Sequence, residues 1–257
     1  MPFVQSLLHG SGWTERATGL AGPWYVTGGG PKTITAGNMV VAYIGACYYQ
    51  GTPTDYSYLA DNLGNTYTRI AEWDTGHLEQ CLYVSTITNP GVLTQFQSET
   101  GLPTSYHCSL CSAEFSDPYG LTVNDLFQYW SGTTITSISN TVAAKSGLNI
   151  HAITMWRHPT AGVGGIPYVP PAGYTIADEQ VYRGSDVIVQ GVSTPLNYGA
   201  PCLALSYRYG AQPNEVLTDS WNEAVSGIIG FNVRLGEYVP PPAPAVSFSK
   251  VVFNGAL

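Results

Sequence analysis

An all-β, antiparallel sandwich is the fold this sequence predicts, and three observations predict it. Apolar and polar residues alternate in short runs, the period-two signature of a half-buried strand, while helical periodicity is weak throughout. Gly, Pro and Asn separate the runs and supply turn chemistry between them. Two nearly apolar runs, "AGNMVVAYIGA" at 36–46 and "SGLNIHAITMW" at 146–156, also resemble each other across most of the chain's first half.

Each element has its own justification. In "GIIGFNVRL", Ile229, Phe231, Val233 and Leu235 share one strand face, while Gly230, Asn232 and Arg234 share the other, because successive side chains point oppositely. In "LALSYRYG", Leu203, Leu205, Tyr207 and Tyr209 alternate with Ala204, Ser206 and Arg208 in the same way. The run from Met39 to Tyr49 is almost wholly apolar, as a central strand covered on both sides requires. "DNLGNTY" at 61–67 and "VPPAGYT" at 169–175 place Gly or Asn where a turn needs positive φ, and both lead into a Tyr-Thr strand start.

The repetition extends beyond the two apolar runs. A first-half series of 37–49, "GNTYTRI" (64–70), "CLYVSTI" (81–87) and "SLCSAEF" (109–115) is answered by a strand opening at Gly147, "AGYTIAD" (172–178), "CLALSYR" (202–208) and "SGIIGFN" (226–232). Four elements recurring in one order predict a doubled antiparallel unit. Two four-stranded units wound together make an eight-stranded sandwich of jelly-roll type with internal pseudo-duplication, one sandwich rather than two beads. The expected organisation is an N-terminal arm at 1–30, the sandwich at 31–236 and a proline-rich tail at 237–257, whose "VPPPAPA" cannot join an interior strand.

Composition narrows the function classes. Charged residues are 10% of the 257-residue chain, against roughly 25% in typical soluble proteins, so the coat is Ser, Thr, Asn, Gln, Gly and Tyr. The net charge is -8 and the nine basic residues are scattered, which argues against nucleic acid as a partner. No apolar stretch approaches the ~18 residues that span a bilayer, and "MPFVQSLLHGSGW" does not read as a signal peptide, so synthesis in a cytoplasm without export is expected. The five cysteines, Cys47, Cys81, Cys108, Cys111 and Cys202, are odd in number and irregular in spacing, which favours reduced thiols acting as small apolar groups.

Motifs that could carry chemistry fail one by one. "HGSGW" at 9–13 has His9 where a nucleophile elbow needs Gly. "GGGPKT" at 28–33 loses a phosphate-cradling amide to Pro31, which favours a plain turn. Cys108 and Cys111 form C-x-x-C, but on a strand they face opposite sides, and no second ligand pair exists. His9, His77, His107, His151 and His158 are scattered, with no helical pairing. A glycoside hydrolase needs two carboxyls within roughly 5–9.5 Å. The candidates Glu72, Asp74, Glu79, Glu114, Asp178, Glu179 and Asp186 show no pairing in sequence, and Asp178 and Glu179 should point apart. Asp61 lacks the alternating acids of a calcium loop and reads as a turn residue. The expectation is no enzyme, no metal and no cofactor.

Aromatics remain. Eighteen Tyr and six Trp include several in polar neighbourhoods, and rigid amphipathic rings suit protein interfaces or sugar stacking. Tyr48, Tyr49 and Tyr56 in "CYYQGTPTDYSY" and Trp130 in "LFQYWSG" are the candidate binding residues.

The ordered set "TAGNMVVAYI", "DNLGNTYT", "LYVST", "AEFSD", "PPAGYT" and "LALSY" resembles a loose group of jelly-roll virion proteins of tailed bacteriophages, over roughly residues 30–236. The resemblance implies a capsid decoration or cement protein, or a head- or tail-fibre module, with no catalytic residues to carry over. The expected partners are other virion proteins, such as a major capsid protein or fibre subunits, with self-association and a host glycan as further candidates. The stretch 88–106 and the tail depart from the pattern and are read as docking adaptations.

Overall fold

Antiparallel pairing organises the whole computed structural model, which describes residues 3–14, 24–48, 56–74, 78–100, 106–116, 123–131, 135–142, 147–156, 168–180, 201–210, 215–225 and 228–235. The first half holds β1 (Phe3–Ser6), β2 (Gly10–Thr14), β3 (Trp24–Val26), β4 (Lys32–Ile34), β5 (Met39–Tyr48), β6 (Tyr56–Asp61), β7 (Thr68–Asp74), β8 (Leu78–Thr86), β9 (Gly91–Leu93), β10 (Phe96–Thr100) and β11 (Tyr106–Phe115). The second holds β12 (Val123–Ser131), β13 (Ile135–Val142), β14 (Leu148–Trp156), β15 (Tyr168–Val169), β16 (Thr175–Gln180), β17 (Pro201–Tyr209), β18 (Glu215–Val225) and β19 (Ile228–Leu235). There is no helix among the described residues, and so none long and apolar enough to cross a membrane.

The recurring segments occupy matching places. One large sheet runs β1-β11-β5-β8-β7 with β2 also on β11, and the other runs β12-β19-β14-β17-β16. The four first-half segments fall on β5, β7, β8 and β11, and their counterparts fall on β14, β16, β17 and β19. The order β11-β5-β8-β7 is therefore repeated as β19-β14-β17-β16. Two smaller sheets, β3-β10-β6 and β13-β18-β15, repeat the relation at the next level, and β4 pairs with β9.

The layering differs from the single two-layer sandwich expected. On β5, Val40, Ala42 and Ile44 join one buried cluster with Val26, Leu59 and Phe96 of the β3-β10-β6 sheet. Met39, Val41 and Tyr43, on its opposite face, join a second cluster with Leu148, Ile150, Ala152, Leu203, Leu205 and Phe231. Both pleat faces of β5 are thus covered, which is why its sequence shows no alternation. Beyond the second large sheet, His151 of β14 meets Asp219 of β18, so β13-β18-β15 forms the outer cover there. The order is four layers: small sheet, large sheet, large sheet, small sheet. The physical reason is that a strand apolar on both faces needs two covers, and the recurring elements supply only the inner two layers.

The inner sheets approach closely. Cα atoms of β11 come within 8 Å of those of β16 and β17, nearer than the ~10 Å usual between stacked sheets. Small side chains allow it: Cys111 and Ala113 on one side, Ala177 on the other, all buried.

Two segments expected to lie outside the sandwich belong to it. Residues 3–14 and 24–26 supply strands to two sheets, and the link after β1 buries Leu7 and Leu8 completely. Residues 91–100 form β9 and β10, with Leu93 and Phe96 at 0% exposure, so that part of the 88–106 stretch is core and not a docking extension. The tail at 237–257 lies outside the described residues.

Candidate functional site

The aromatic candidates divide by position. Tyr48 ends β5 opposite Tyr106 of β11, and Tyr56 begins β6 opposite Thr100 of β10, so they stand on two facing sheets of the first half. Trp130 lies on β12, paired with Ile229, at the edge of the other large sheet. Tyr49 lies outside the described residues, as do the side chains of the other three.

"DNLGN" is a turn saturated by its own side chains. Asp61 Oδ1 accepts from Leu63 N at 2.9 Å and Asn65 N at 3.0 Å, and Oδ2 accepts from Asn65 Nδ2 at 2.9 Å and Tyr67 Oη at 2.8 Å. Asn65 Oδ1 accepts from Asn89 N at 2.9 Å, tying this turn to the one after β8. Four donors leave the carboxylate no open lone pair for a cation. Burial, followed by the nearby Asp61 charge, pushes the Tyr67 phenol well above its ordinary value.

The most enzyme-like constellation lies between β14 and the outer cover. His151 Nε2 sits 2.8 Å from Asp219 Oδ1, and Tyr168 Oη donates to the same oxygen at 2.6 Å. Burial first, then the Asp219 charge, raises the Tyr168 phenol far above 10. Ser206, directly opposite His151 on β17, donates its hydroxyl to the His151 carbonyl at 3.3 Å and also bonds the Tyr168 phenol. His151 and Asp219 side chains are both 0% exposed; the dyad anchors the outer sheet through charge-assisted hydrogen bonds. His151, expected from its sequence context to be a hydrogen-bonded side chain, is hydrogen-bonded to Asp219. Asp219 gave no signal, because Tyr168 and His151, which hold this acid of "VLTDSW", lie 51 and 68 residues away in sequence.

A third cluster joins the halves. Between β1 and β2 the chain leaves β11 at Leu7–His9, with Leu7 N donating to Ser112 O at 2.8 Å and Ser112 Oγ donating to Leu8 O. Asp178 of β16 fills the gap: its Oδ2 accepts from Ser112 N at 2.9 Å, and its Oδ1 lies 3.4 Å from Ser6 Oγ and 3.2 Å from His9 Nδ1. The His9 contact has ion-pair distance without the alignment of a hydrogen bond. Asp178 is 6% exposed and the His9 side chain 38% exposed, so the cluster reaches water through the imidazole. Burial raises the Asp178 carboxyl from 3.8 to about 6, against the lowering pull of Ser112 N, His9, Glu179 N and Ser6. Glu179 is exposed, so the neighbouring acids do point apart.

Glu114 is a clamp. At 0% exposure it accepts from Gln5 Nε2 at 2.6 Å, Asn38 Nδ2 at 2.7 Å and Thr35 N at 2.9 Å, fastening the turn before β5 to β11. Glu72 pairs with Arg69 at 3.3 Å. Register sets Asp74 of β7 opposite Glu79 of β8, a juxtaposition the sequence did not announce; Asp186 lies outside the described residues.

The rejected motifs have plain structural roles. Residues 10–13 of "HGSGW" lie in strand β2, and Gly28 packs so tightly on the His9 link that a Cβ there would lie 2.1 Å from the His9 carbonyl oxygen. Cys108 and Cys111 share β11, and Cys81 and Cys111 are buried thiols outside any disulfide. Among the described residues, no three His, Cys, Asp or Glu side chains gather to hold a metal. Comparisons with protein-family models, with curated proteins and with solved structures found no match.

Proposed function

We propose that this protein is a non-enzymatic structural component of a bacteriophage virion, built of jelly rolls, that decorates or cements the capsid through contacts with neighbouring subunits. The observation that carries the reading is the repeated strand order. A jelly roll winds eight strands into two sheets, the chain passing between them. In the first half β2 pairs with β11 and the sheet continues β5-β8-β7, faced by β3-β10-β6. In the second half β12 pairs with β19 and continues β14-β17-β16, faced by β13-β18-β15. Each set has eight strands, in each the first pairs with the last, and the first half adds β1 beside β11 and the β4–β9 pair. Jelly rolls recur in viral capsid proteins and in lectins.

The surface chemistry supports docking over catalysis. On the outermost sheet Ser137, Ser139 and Thr141 of β13 lie beside exposed Val216 and Thr218 of β18, with Ser139 and Thr218 hydroxyls 2.8 Å apart. The residues named are uncharged and have short side chains, so ordering them against a neighbouring subunit costs little side-chain entropy or desolvation of charge.

The test is an image reconstruction of particles assembled with and without this chain. Regular four-layered β density on the capsid, lost in the deletion, is the expected result. Density confined to a fibre, together with glycan binding that disappears when Tyr48, Tyr49, Tyr56 and Trp130 are substituted, would instead establish a receptor- or carbohydrate-binding module.

A further inference from the structure

We propose that the seam between the two large sheets carries a proton-linked latch, in which the Asp178 carboxyl beside His9 holds the halves together more tightly in mild acid than at neutral pH. The geometry is that of a bolt. Leu7–His9 bulge away from β11 and leave the Ser112 amide without a strand neighbour on that side, and the carboxyl that takes it comes from the other half of the molecule. Its second oxygen lies against Ser6 and His9 of the first half. Opening the seam would return both the carboxyl and the Ser112 amide to water.

In the closed seam, Asp178 has lost most of its water and gained one well-aligned backbone donor, and the loss outweighs the gain, raising the carboxyl to about 6. The closed form therefore binds a proton more tightly than the open form, so protonation favours closure. A neutral carboxyl still offers one oxygen to Ser112 N–H. Other titratable groups nearby turn elsewhere. Glu114 of β11 is committed to Gln5, Thr35 and Asn38. The Cys111 thiol donates to Leu203 O, and Glu179 on β16 is exposed. The β17 residue opposite Asp178 is Leu205, and the Thr27–Gly30 turn over His9 brings no ionisable side chain. The response thus rests on Asp178 and His9. It does not depend on the virion reading.

The size follows from linkage. With a carboxyl at 3.8 when open and about 6 when closed, the opening constant is about tenfold smaller near pH 5 than near pH 7.5. The test is carried out on the full chain: the Asp178 carboxyl carbon is titrated by NMR, and exchange of the Ser112 amide is followed at both pH values, corrected for intrinsic rates. A midpoint near 6, with Ser112 about tenfold better protected in acid, is expected. A midpoint within the ordinary carboxylate range, or equal protection at both pH values, overturns the latch. His9→Gln should move the Asp178 midpoint further up, since His9 holds it down; an unmoved midpoint removes His9 from the device. Asp178→Asn should make Ser112 protection independent of pH, and if that variant fails to fold, the wild-type titration and His9→Gln still decide.

Discussion

A single hydroxyl chain offers the sharpest test of the four-layer arrangement. Thr154 Oγ1 of β14 donates to Tyr43 Oη of β5 at 2.7 Å, and Tyr43 Oη donates to Gln80 Oε1 of β8 at 2.7 Å. All three residues are 0% exposed, and the first bond crosses between the halves. Burial pushes the Tyr43 phenol well above 10, so it stays neutral and keeps its donor. Tyr43→Phe strands the Thr154 donor and the Gln80 acceptor. At about 1–3 kcal/mol for each buried group left without a partner, the loss is about 2–6 kcal/mol. Thr154→Val removes one donor, while Tyr43 keeps its bond to Gln80, and should cost about 1 kcal/mol. Because the two changes share one bond, the double variant should be more stable than the sum predicts, by about 1 kcal/mol. Urea unfolding of the four proteins measures this coupling. Additivity within about 0.5 kcal/mol would mean the residues do not touch, and the shared interior between the large sheets would have to be abandoned.

Further outcomes test other parts of the structure. Phe231→Ala, which empties a fully buried ring packed edge-on against Tyr43 with centroids 6.0 Å apart, should cost about 3–5 kcal/mol and lower the urea midpoint for probes in both halves together. Glu114→Ala should cost about 2–4 kcal/mol by removing three charge-assisted hydrogen bonds from part-buried donors, and amide exchange at Thr35 should accelerate. Gly28→Ala places a methyl 2.1 Å from the His9 carbonyl oxygen and should lower the thermal midpoint by several degrees. Asp178 has a folded value raised from 3.8 to about 6, so its contribution is fully present below 3.8 and is lost as pH rises through 6. The full excursion is about 3 kcal/mol. Asp178→Asn, measured by urea unfolding across that window, should flatten this slope and be no less stable than the parent near pH 7.5.

The fold was legible where the chain repeats itself. Turn chemistry marked the same entries in both halves: Gly64 and Gly173 adopt φ of 78° and 81°, and the following Tyr67 and Tyr174 are both buried. What the repetition hid was parity. Superposing Gly37 on Gly147 sets Val40 against Ile150, yet Val40 packs toward the first half's outer cover and Ile150 toward the seam. A slip of one residue exchanges the faces of a strand, and an alignment by turn glycines does not see it. Between "CLYVSTI" and "CLALSYR" the parity holds, with Leu82 and Val84 answering Leu203 and Leu205 in the seam cluster.

The outer covers escaped notice for a different reason. A strand with Ser and Thr outward and Leu217, Asp219 and Trp221 inward, as on β18, breaks the apolar alternation at the position that carries its anchor. The same rule explains why the site chemistry was invisible: Asp178, Asp219 and Glu114 each read as surface acids, and each is instead held by partners from other elements at least 51 residues away, for Glu114 by donors from β1 and the turn before β5. A chain with only 10% charged residues that buries three of its carboxylates is using them as joints between layers. Joints of that kind are costly to break singly and cheap to replace by shape-matched apolar groups. Their presence therefore fixes which layer meets which, and of the three only Asp178 lies at the seam between the large sheets, with His9 as its route to water.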